Sequence, residues 1–113
     1  MRKKDVKPKV KKESTKIPTH VFINGSRYNI VRAWVIKNDK GEALDGDVSF
    51  HEKKIRLAHG LTKAELEETF LHEYIHAFNY EFGLYNFITP EVDEVLTHQL
   101  AKELLKSFKI KYL

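Results

Sequence analysis

The spacing of apolar residues changes at Thr62, and this change divides the chain into two unlike halves. Between residues 20 and 58, short runs of β-branched and aromatic residues are separated by turn signals such as Asn24-Gly25. From Thr62 onward, apolar residues recur every three or four positions, which is the period of an α-helix. Strands followed by helices, rather than an alternation of the two, are typical of an α+β fold. We therefore expect a small antiparallel sheet of three to four strands followed by two packed helices.

Both helices have sequence signals at their ends. Thr62 and Glu65 have the spacing of a capping box, and Gly83 is the kind of residue that ends a helix, so we predict a first helix over about 62–82. Its apolar stripe is expected to face the sheet and consists of Leu71, Ile75, Phe78 and Phe82. Thr89 followed by Pro90 predicts the start of a second helix over about 90–108. The predicted apolar face of that helix consists of Val92, Val95, Leu96, Leu100 and Leu104.

The first predicted helix contains the sequence His72-Glu73-Tyr74-Ile75-His76. Residues four apart lie one turn apart on the same face of a helix, so the imidazoles of His72 and His76 can share one metal ion. Glu73 is placed where its carboxylate can reach a metal-bound water. These residue types at this spacing predict a zinc site used for hydrolysis.

A catalytic zinc site needs a third protein ligand and an open position. The second predicted helix offers three candidates for this ligand. Glu94 can approach the same ion if the two helices pack side by side. Glu91 and His98 lie one turn before and one turn after Glu94. The residues alone leave these three alternatives open.

The motif at 72–76, followed by Glu91-Val92-Asp93-Glu94-Val95-Leu96, resembles the gluzincins, the thermolysin-like zinc peptidases. The order of sheet and helices and the small size are similar to minimal HExxH proteins of phages and mobile elements, and to SprT-like domains. The gluzincin resemblance covers about residues 43–108 and implies that Glu94 is the third zinc ligand, with His98 supporting a ligand or facing the substrate. SprT-like proteins use a third histidine instead, which implies His98 as the ligand.

The resemblance to these minimal zincins implies a peptidase mechanism. Glu73 would take a proton from a zinc-bound water and later deliver it to the leaving amine. His98, Tyr80 and Tyr85 are the candidates for a further donor to the oxyanion. The predicted strand 54–58 would then be an edge strand, where an extended protein or peptide substrate adds as another strand.

Positive charge is concentrated in residues 1–16. This segment carries eight of the 20 Lys and Arg residues and two of the 16 acidic residues, for a formal charge of +6. The remaining 12 basic and 14 acidic residues give the rest of the chain a formal charge of −2. We predict a disordered basic tail over 1–16 and a metallopeptidase-like domain over 17–113. The tail could contact nucleic acid or another acidic surface, or it could serve only to keep the protein in solution.

The composition of the chain excludes several kinds of functional site and partner. The chain has no cysteine, which excludes disulfides, a cysteine nucleophile and a cysteine-based zinc ribbon. It has no run of about 18 apolar residues, so we expect no membrane partner. The charged N-terminus lacks the apolar segment of a secretory signal, and we expect a cytoplasmic location. We expect the other three histidines to lie at surface or turn positions and not to bind the metal. They are His20, His51 and His59.

Two further hypotheses about function stay open. The protein could be a nucleic-acid-associated accessory protein that uses residues 1–16, with the metal structural or absent, although the slightly acidic body offers no basic stripe. It could also be a small interaction protein with a degenerate motif and no metal.

Overall fold

Four short strands form one sheet in the computed structural model, which describes residues 17–111. They are β1 (His20–Ile23), β2 (Ser26–Ala33), β3 (Gly46–Ser49) and β4 (Lys54–Ala58). Asn24 and Gly25 connect β1 to β2 with φ angles of 48° and 82°. These left-handed conformations are those of a two-residue hairpin turn, and they explain the Asn-Gly pair. The predicted tail over residues 1–16 lies outside the described residues.

The spatial order of the strands is β1-β2-β4-β3. β1 pairs with β2, and β3 with β4, in antiparallel fashion, but β2 and β4 are parallel, with Ile30 opposite Ile55. The prediction of an antiparallel sheet is therefore wrong for this pair, and the sheet is mixed. Parallel neighbours need a long connection, and here residues 34–53, which include β3, make it. The α+β class, with strands first and two helices after them, is confirmed.

The central position of β4 also corrects the predicted sheet edge. β4 contacts β2 on one side and β3 on the other, so residues 54–58 are not an edge strand. The edge strand on that side is β3, which pairs only with β4 among the described strands. The sequence does not show which strand lies at the edge, because the order of strands depends on how the connection at 34–45 crosses the sheet.

The first helix, α1 (Lys63–Glu81), lies between the sheet and the second helix. Its predicted capping box is present, because Thr62 Oγ1 accepts a hydrogen bond from the Glu65 backbone N–H at 3.2 Å. Glu65 Oε1 accepts one in return from the Thr62 N–H at 2.9 Å. The helix ends at Glu81, and Gly83 follows with a φ of 74°, a conformation that favours glycine.

The face that α1 turns toward the sheet differs from the predicted stripe. Side chains from the sheet and from α1 form the core, namely Ile23, Tyr28, Ile30, Ile55, Leu57, Leu66, Phe70 and Ala77. Ile75 is buried, but Phe78 and Phe82 of the predicted stripe are 41% and 49% exposed. α1 has apolar residues at helical spacing on two neighbouring faces, and the period alone does not show which of them faces the sheet.

The second helix, α2 (Pro90–Ser107), packs on α1 after a 3-10 turn at Leu84–Asn86. The predicted cap is present, since Thr89 Oγ1 accepts a hydrogen bond from the Val92 N–H at 3.1 Å. The buried residues of α2 are Asp93, Thr97 and Ala101. The predicted apolar face is instead exposed at Val92, Val95, Leu96 and Leu100. No helix among the described residues is both long and apolar enough to cross a bilayer.

A charged cluster attaches the C-terminal end of α1 to the sheet. The Glu81 carboxylate, whose side chain is 9% exposed, accepts hydrogen bonds from Ser26 Oγ at 2.9 Å, Tyr28 OH at 2.6 Å and Lys53 Nζ at 2.6 Å. Asn24 donates to the Glu81 backbone carbonyl at 3.0 Å. The hydrogen bonds from Lys53 and Tyr28 hold the pKa of Glu81 below its ordinary value. Because these contacts join residues far apart in sequence, they stabilise the tertiary fold.

We predict that Glu81→Gln lowers the free energy of unfolding at pH 7 by about 2 kcal/mol, because the neutral amide loses charge-assisted hydrogen bonds. A carboxylate with a lowered pKa in the fold contributes stability above its unfolded pKa of about 4.3, and this contribution disappears as the pH falls through the folded pKa. The difference between wild type and variant should therefore shrink below pH 4. Urea unfolding followed by circular dichroism at pH 7 and pH 3 measures it.

Glu103→Gln is the matched control for Glu81→Gln. Glu103 forms an exposed ion pair with Lys106 at 3.3 Å, so its loss should change stability by no more than about 0.5 kcal/mol. An equal effect of the two variants would show that the Glu81 cluster has no special role in stability.

Candidate metal centre

Three side chains that could bind a metal meet where α1 packs against α2. His72 and His76 lie one turn apart on α1, and their Nε2 atoms are 3.1 Å apart. Glu94 of α2 lies opposite, with Oε1 at 3.2 Å from His76 Nε2 and Oε2 at 3.5 Å from His72 Nε2. Among the described residues, these three side chains form the group of His, Asp and Glu that could hold a metal ion.

The spacing of these atoms fits a tetrahedral zinc ion. Zinc binds His nitrogen and carboxylate oxygen at about 2.0–2.2 Å, which places two ligands of a tetrahedron about 3.3–3.6 Å apart. The separation of 3.1 Å between the two Nε2 atoms, and those of 3.2 and 3.5 Å from these atoms to the two oxygens of Glu94, lie within or just below that range. Burial lowers the pKa of His72, and the charge of His76 lowers it further. At neutral pH this imidazole is therefore neutral and keeps a lone pair that can bind a metal.

Asp93 contacts the candidate ligand His76 from the buried side of α2. Its Oδ2 lies 2.8 Å from His76 Nδ1, the ring nitrogen that points away from the cluster. A carboxylate in this position selects the imidazole tautomer whose Nε2 lone pair faces His72 and Glu94. Asp93 is 6% exposed, so its charge must be compensated within the protein.

Three more donors compensate the buried charge of Asp93. Asn79 Nδ2 donates to Oδ1 at 2.7 Å, Thr97 Oγ1 donates to Oδ1 at 3.2 Å, and Tyr85 OH donates to Oδ2 at 2.9 Å. Burial alone would raise the pKa of Asp93, but the hydrogen bonds from Asn79 and Tyr85 outweigh it and lower the pKa. Asp93 therefore stays ionised and links α2 to both α1 and the 3-10 turn.

Glu73 lies beside the cluster at the floor of an open cleft. It is 8% exposed, and its carboxylate has no hydrogen-bond or ion-pair partner within residues 17–111. Burial, together with the charges of Asp47 and Glu94, raises its pKa to about 8. A cation bound next to it would lower this pKa again, because an opposite charge favours the carboxylate. A buried acid that faces a cleft and is perturbed in this way is typical of an acid–base catalyst.

The cleft has a volume of about 230 Å³ and lies between β3 and the two helices. Its lining residues are Leu44, Asp45, Gly46, Glu68, Thr69, His72, Glu73 and His98. Gly46 allows β3 to approach α1 closely, since a Cβ at this position would be 2.6 Å from Thr69 Cγ2 and 2.8 Å from the Arg56 carbonyl oxygen. A larger residue here would push β3 away from the helix and change the width of the cleft.

The other candidates for the third metal ligand, and the candidates for a donor to the oxyanion, lie in different parts of the structure. The ring of His98 lies 6.2 Å from that of His72 and lines the cleft, whereas Glu91 lines a separate hollow on the outer side of α2. Tyr85 is engaged by Asp93, and the ring of Tyr80 stacks on Phe50 at 4.4 Å. Of the three predicted oxyanion donors, only His98 lines this cleft. None of the remaining histidines, His20, His51 and His59, belongs to the candidate metal group of the described residues.

Sequence reasoning missed Asp93 and the donors around it. A signal was present, because Asp93, Thr97 and Ala101 recur every four residues and mark a polar or small face of α2 that suits burial against another helix. Asn79, one turn after His76 on α1, is likewise a polar residue placed toward that interface.

Comparison of the chain with protein-family models, with curated proteins and with solved structures gave no match. Its function is therefore inferred from the geometry of this centre.

We predict that Asp93→Asn weakens zinc binding by about 10–100-fold, the usual effect of losing a carboxylate behind a ligating His. Both oxygens of Asp93 accept from donors, so either orientation of the amide places its NH₂ against another donor. Competition with a chromophoric zinc chelator measures the affinity, and unfolding in EDTA measures stability separately. Unchanged zinc affinity would remove the role of Asp93 in orienting His76.

Proposed function

We propose that this protein is a zinc-dependent peptidase with His72, His76 and Glu94 as zinc ligands and Glu73 as the general base. One observation carries the proposal, namely the convergence of three metal-binding side chains beside a buried, unpartnered carboxylate that faces an open cleft. The resemblance of residues 72–76 and 91–96 to gluzincins supports the same set of residues.

Bound at this centre, zinc would act as a Lewis acid that lowers the pKa of water and polarises a carbonyl group. The protein supplies the rest of the chemistry. His72 and Glu94 contribute two ligands from different helices, and Asp93 orients the third, His76. Because two of the ligands are imidazoles and one is a carboxylate, the site suits zinc better than magnesium or calcium, which prefer oxygen ligands.

Glu73 performs the proton transfers in the proposed reaction. Its carboxylate takes a proton from the attacking water as the water oxygen bonds to the carbonyl carbon of the peptide. It then gives that proton to the amine nitrogen as the carbon–nitrogen bond breaks. His98 lines the cleft, whereas Tyr80 and Tyr85 do not. This position supports His98 as the donor of a hydrogen bond to the oxygen of the former carbonyl.

The free edge of β3 supports an extended peptide or unfolded protein segment as the substrate. β3 borders the cleft through Gly46 and has no strand on its outer side within the described residues. A peptide that adds to this edge receives backbone hydrogen bonds and lies across the cleft in front of Glu73. In this proposal, β3 has the substrate-binding role that the resemblance to zincins implied for residues 54–58.

The first experiment is elemental analysis of protein purified without chelator. We expect about one zinc per wild-type chain and a large loss in Glu94→Ala, because two imidazoles alone hold zinc weakly. Glu91→Ala and His98→Ala are the controls and should keep their zinc. Wild-type protein that stays free of zinc after reconstitution would overturn the proposal, and loss of zinc in His98→Ala but not Glu94→Ala would change the third ligand.

A second prediction concerns Glu73→Gln. This nearly isosteric change removes the base, and we expect peptide hydrolysis to fall by at least about 100-fold while the zinc content stays near the wild-type value. Mass spectrometry of a mixture of unstructured peptides detects the products. Glu67→Gln, a change six residues earlier on α1 and outside the cleft, is the control and should keep full activity. Full activity in Glu73→Gln would contradict its role as base.

A further inference from the structure

The outward side of α2 carries a row of apolar side chains that the fold leaves uncovered. The row consists of Val92 at 49% exposure, Val95 at 63%, Leu96 at 49% and Leu100 at 38%. Val92, Val95 and Leu96 border a hollow of about 480 Å³ together with Glu91 and Gln99. Contiguous exposed apolar groups of this kind usually mark an interaction surface. We call these four residues the outer row.

Two charged residues flank the outer row along the same side of the helix. Glu91 and Lys102 are 11 positions apart, so at 100° per residue they differ by about 20° around the axis and by about 16 Å along it. Neither side chain has an ion-pair or hydrogen-bond partner within residues 17–111. One end of the outer row therefore has a free negative charge, and the other end has a free positive charge.

This pattern is complementary to itself when a second helix runs antiparallel. A two-fold axis near Leu96 brings Glu91 of each copy next to Lys102 of the other, and it brings Val92 of each copy toward Leu100 of the other. A parallel two-fold arrangement would place this flank of the two copies on opposite sides of the interface, so Glu91 of one copy would not meet Lys102 of the other. Only the antiparallel pairing forms these two opposite-charge contacts, so the charges favour it.

We propose that the outer row of α2 is a homodimer interface, in which α2 of two copies packs antiparallel about a two-fold axis near Leu96. The same patch then serves both copies, as the symmetry of a two-fold dimer requires. Residues 1–16 of the same chain suit the row poorly, since Val6 and Val10 are their only apolar residues after Met1. The interface does not depend on the proposed peptidase activity.

The size of α2 sets the strength of the dimer. Its 18 residues span about 27 Å, so two paired helices bury less than the roughly 1,200 Å² of a standard interface. We therefore expect a dimer with a dissociation constant in the micromolar range, which forms and separates reversibly with concentration.

Sedimentation velocity of the full chain over a concentration series tests the proposal, in EDTA so that metal plays no part. Wild type should shift reversibly from monomer to dimer, and Val95→Asp should remain a monomer. Val95 is largely exposed, so this change should not prevent folding, which circular dichroism verifies. A monomer at every concentration, or a dimer that survives Val95→Asp, would overturn the interface.

A charge exchange tests the antiparallel geometry. Glu91→Lys and Lys102→Glu should each weaken dimerisation by about tenfold, because each creates two like-charge contacts across the two-fold axis. The double variant reverses both charges and should regain the wild-type dissociation constant within about twofold. Asp39→Lys, a change of the same charge in an exposed turn, is the control and should leave the dimer unaffected. Single variants that weaken the dimer with no recovery in the double variant would overturn the antiparallel pairing.

Discussion

The buried carboxylate of Asp93 is the interaction on which the arrangement of the two helices depends. It receives hydrogen bonds from Asn79 of α1, Tyr85 of the connecting turn and Thr97 of α2, and it contacts the ring of His76. Burying a charge is costly unless it is fully bonded, so the helices have little freedom to pack in another register. Glu94, the next residue, is thereby held opposite His72 and His76.

A second carboxylate, which is partly buried, has a comparable role at the other side of α1. Glu81 attaches the end of the helix to β2 and to the turn before β4, through Tyr28 and Lys53. α1 is thus held by acidic groups toward both of its neighbours, the sheet and α2. Its apolar face contacts the sheet and its polar face contacts α2, and Glu73 lies between these two faces at the floor of the cleft.

Local features of the chain were predictable because they depend on residues close in sequence. Four features depend only on residues within about one turn of backbone, namely the capping box at Thr62, the Thr89 cap, the Asn24-Gly25 turn and the end of α1 just before Gly83. The placement of His72 and His76 on one helical face is local in the same sense. The expected antiparallel pairing was wrong for β2 and β4, which are parallel, because strand order depends on contacts between distant segments.

The sequence by itself determined the class of fold, the position of both helices and the residues that could bind a metal on α1. Only the tertiary structure decided that Glu94 rather than Glu91 or His98 lies against the histidine pair, that Asp93 is buried behind His76, and that the outer row of α2 remains exposed. Helical periodicity gives the relative angle of side chains around one axis, but it carries no information on which direction faces a neighbour. That direction depends on how α1, α2 and the sheet bury their surfaces together, which is a property of the whole chain.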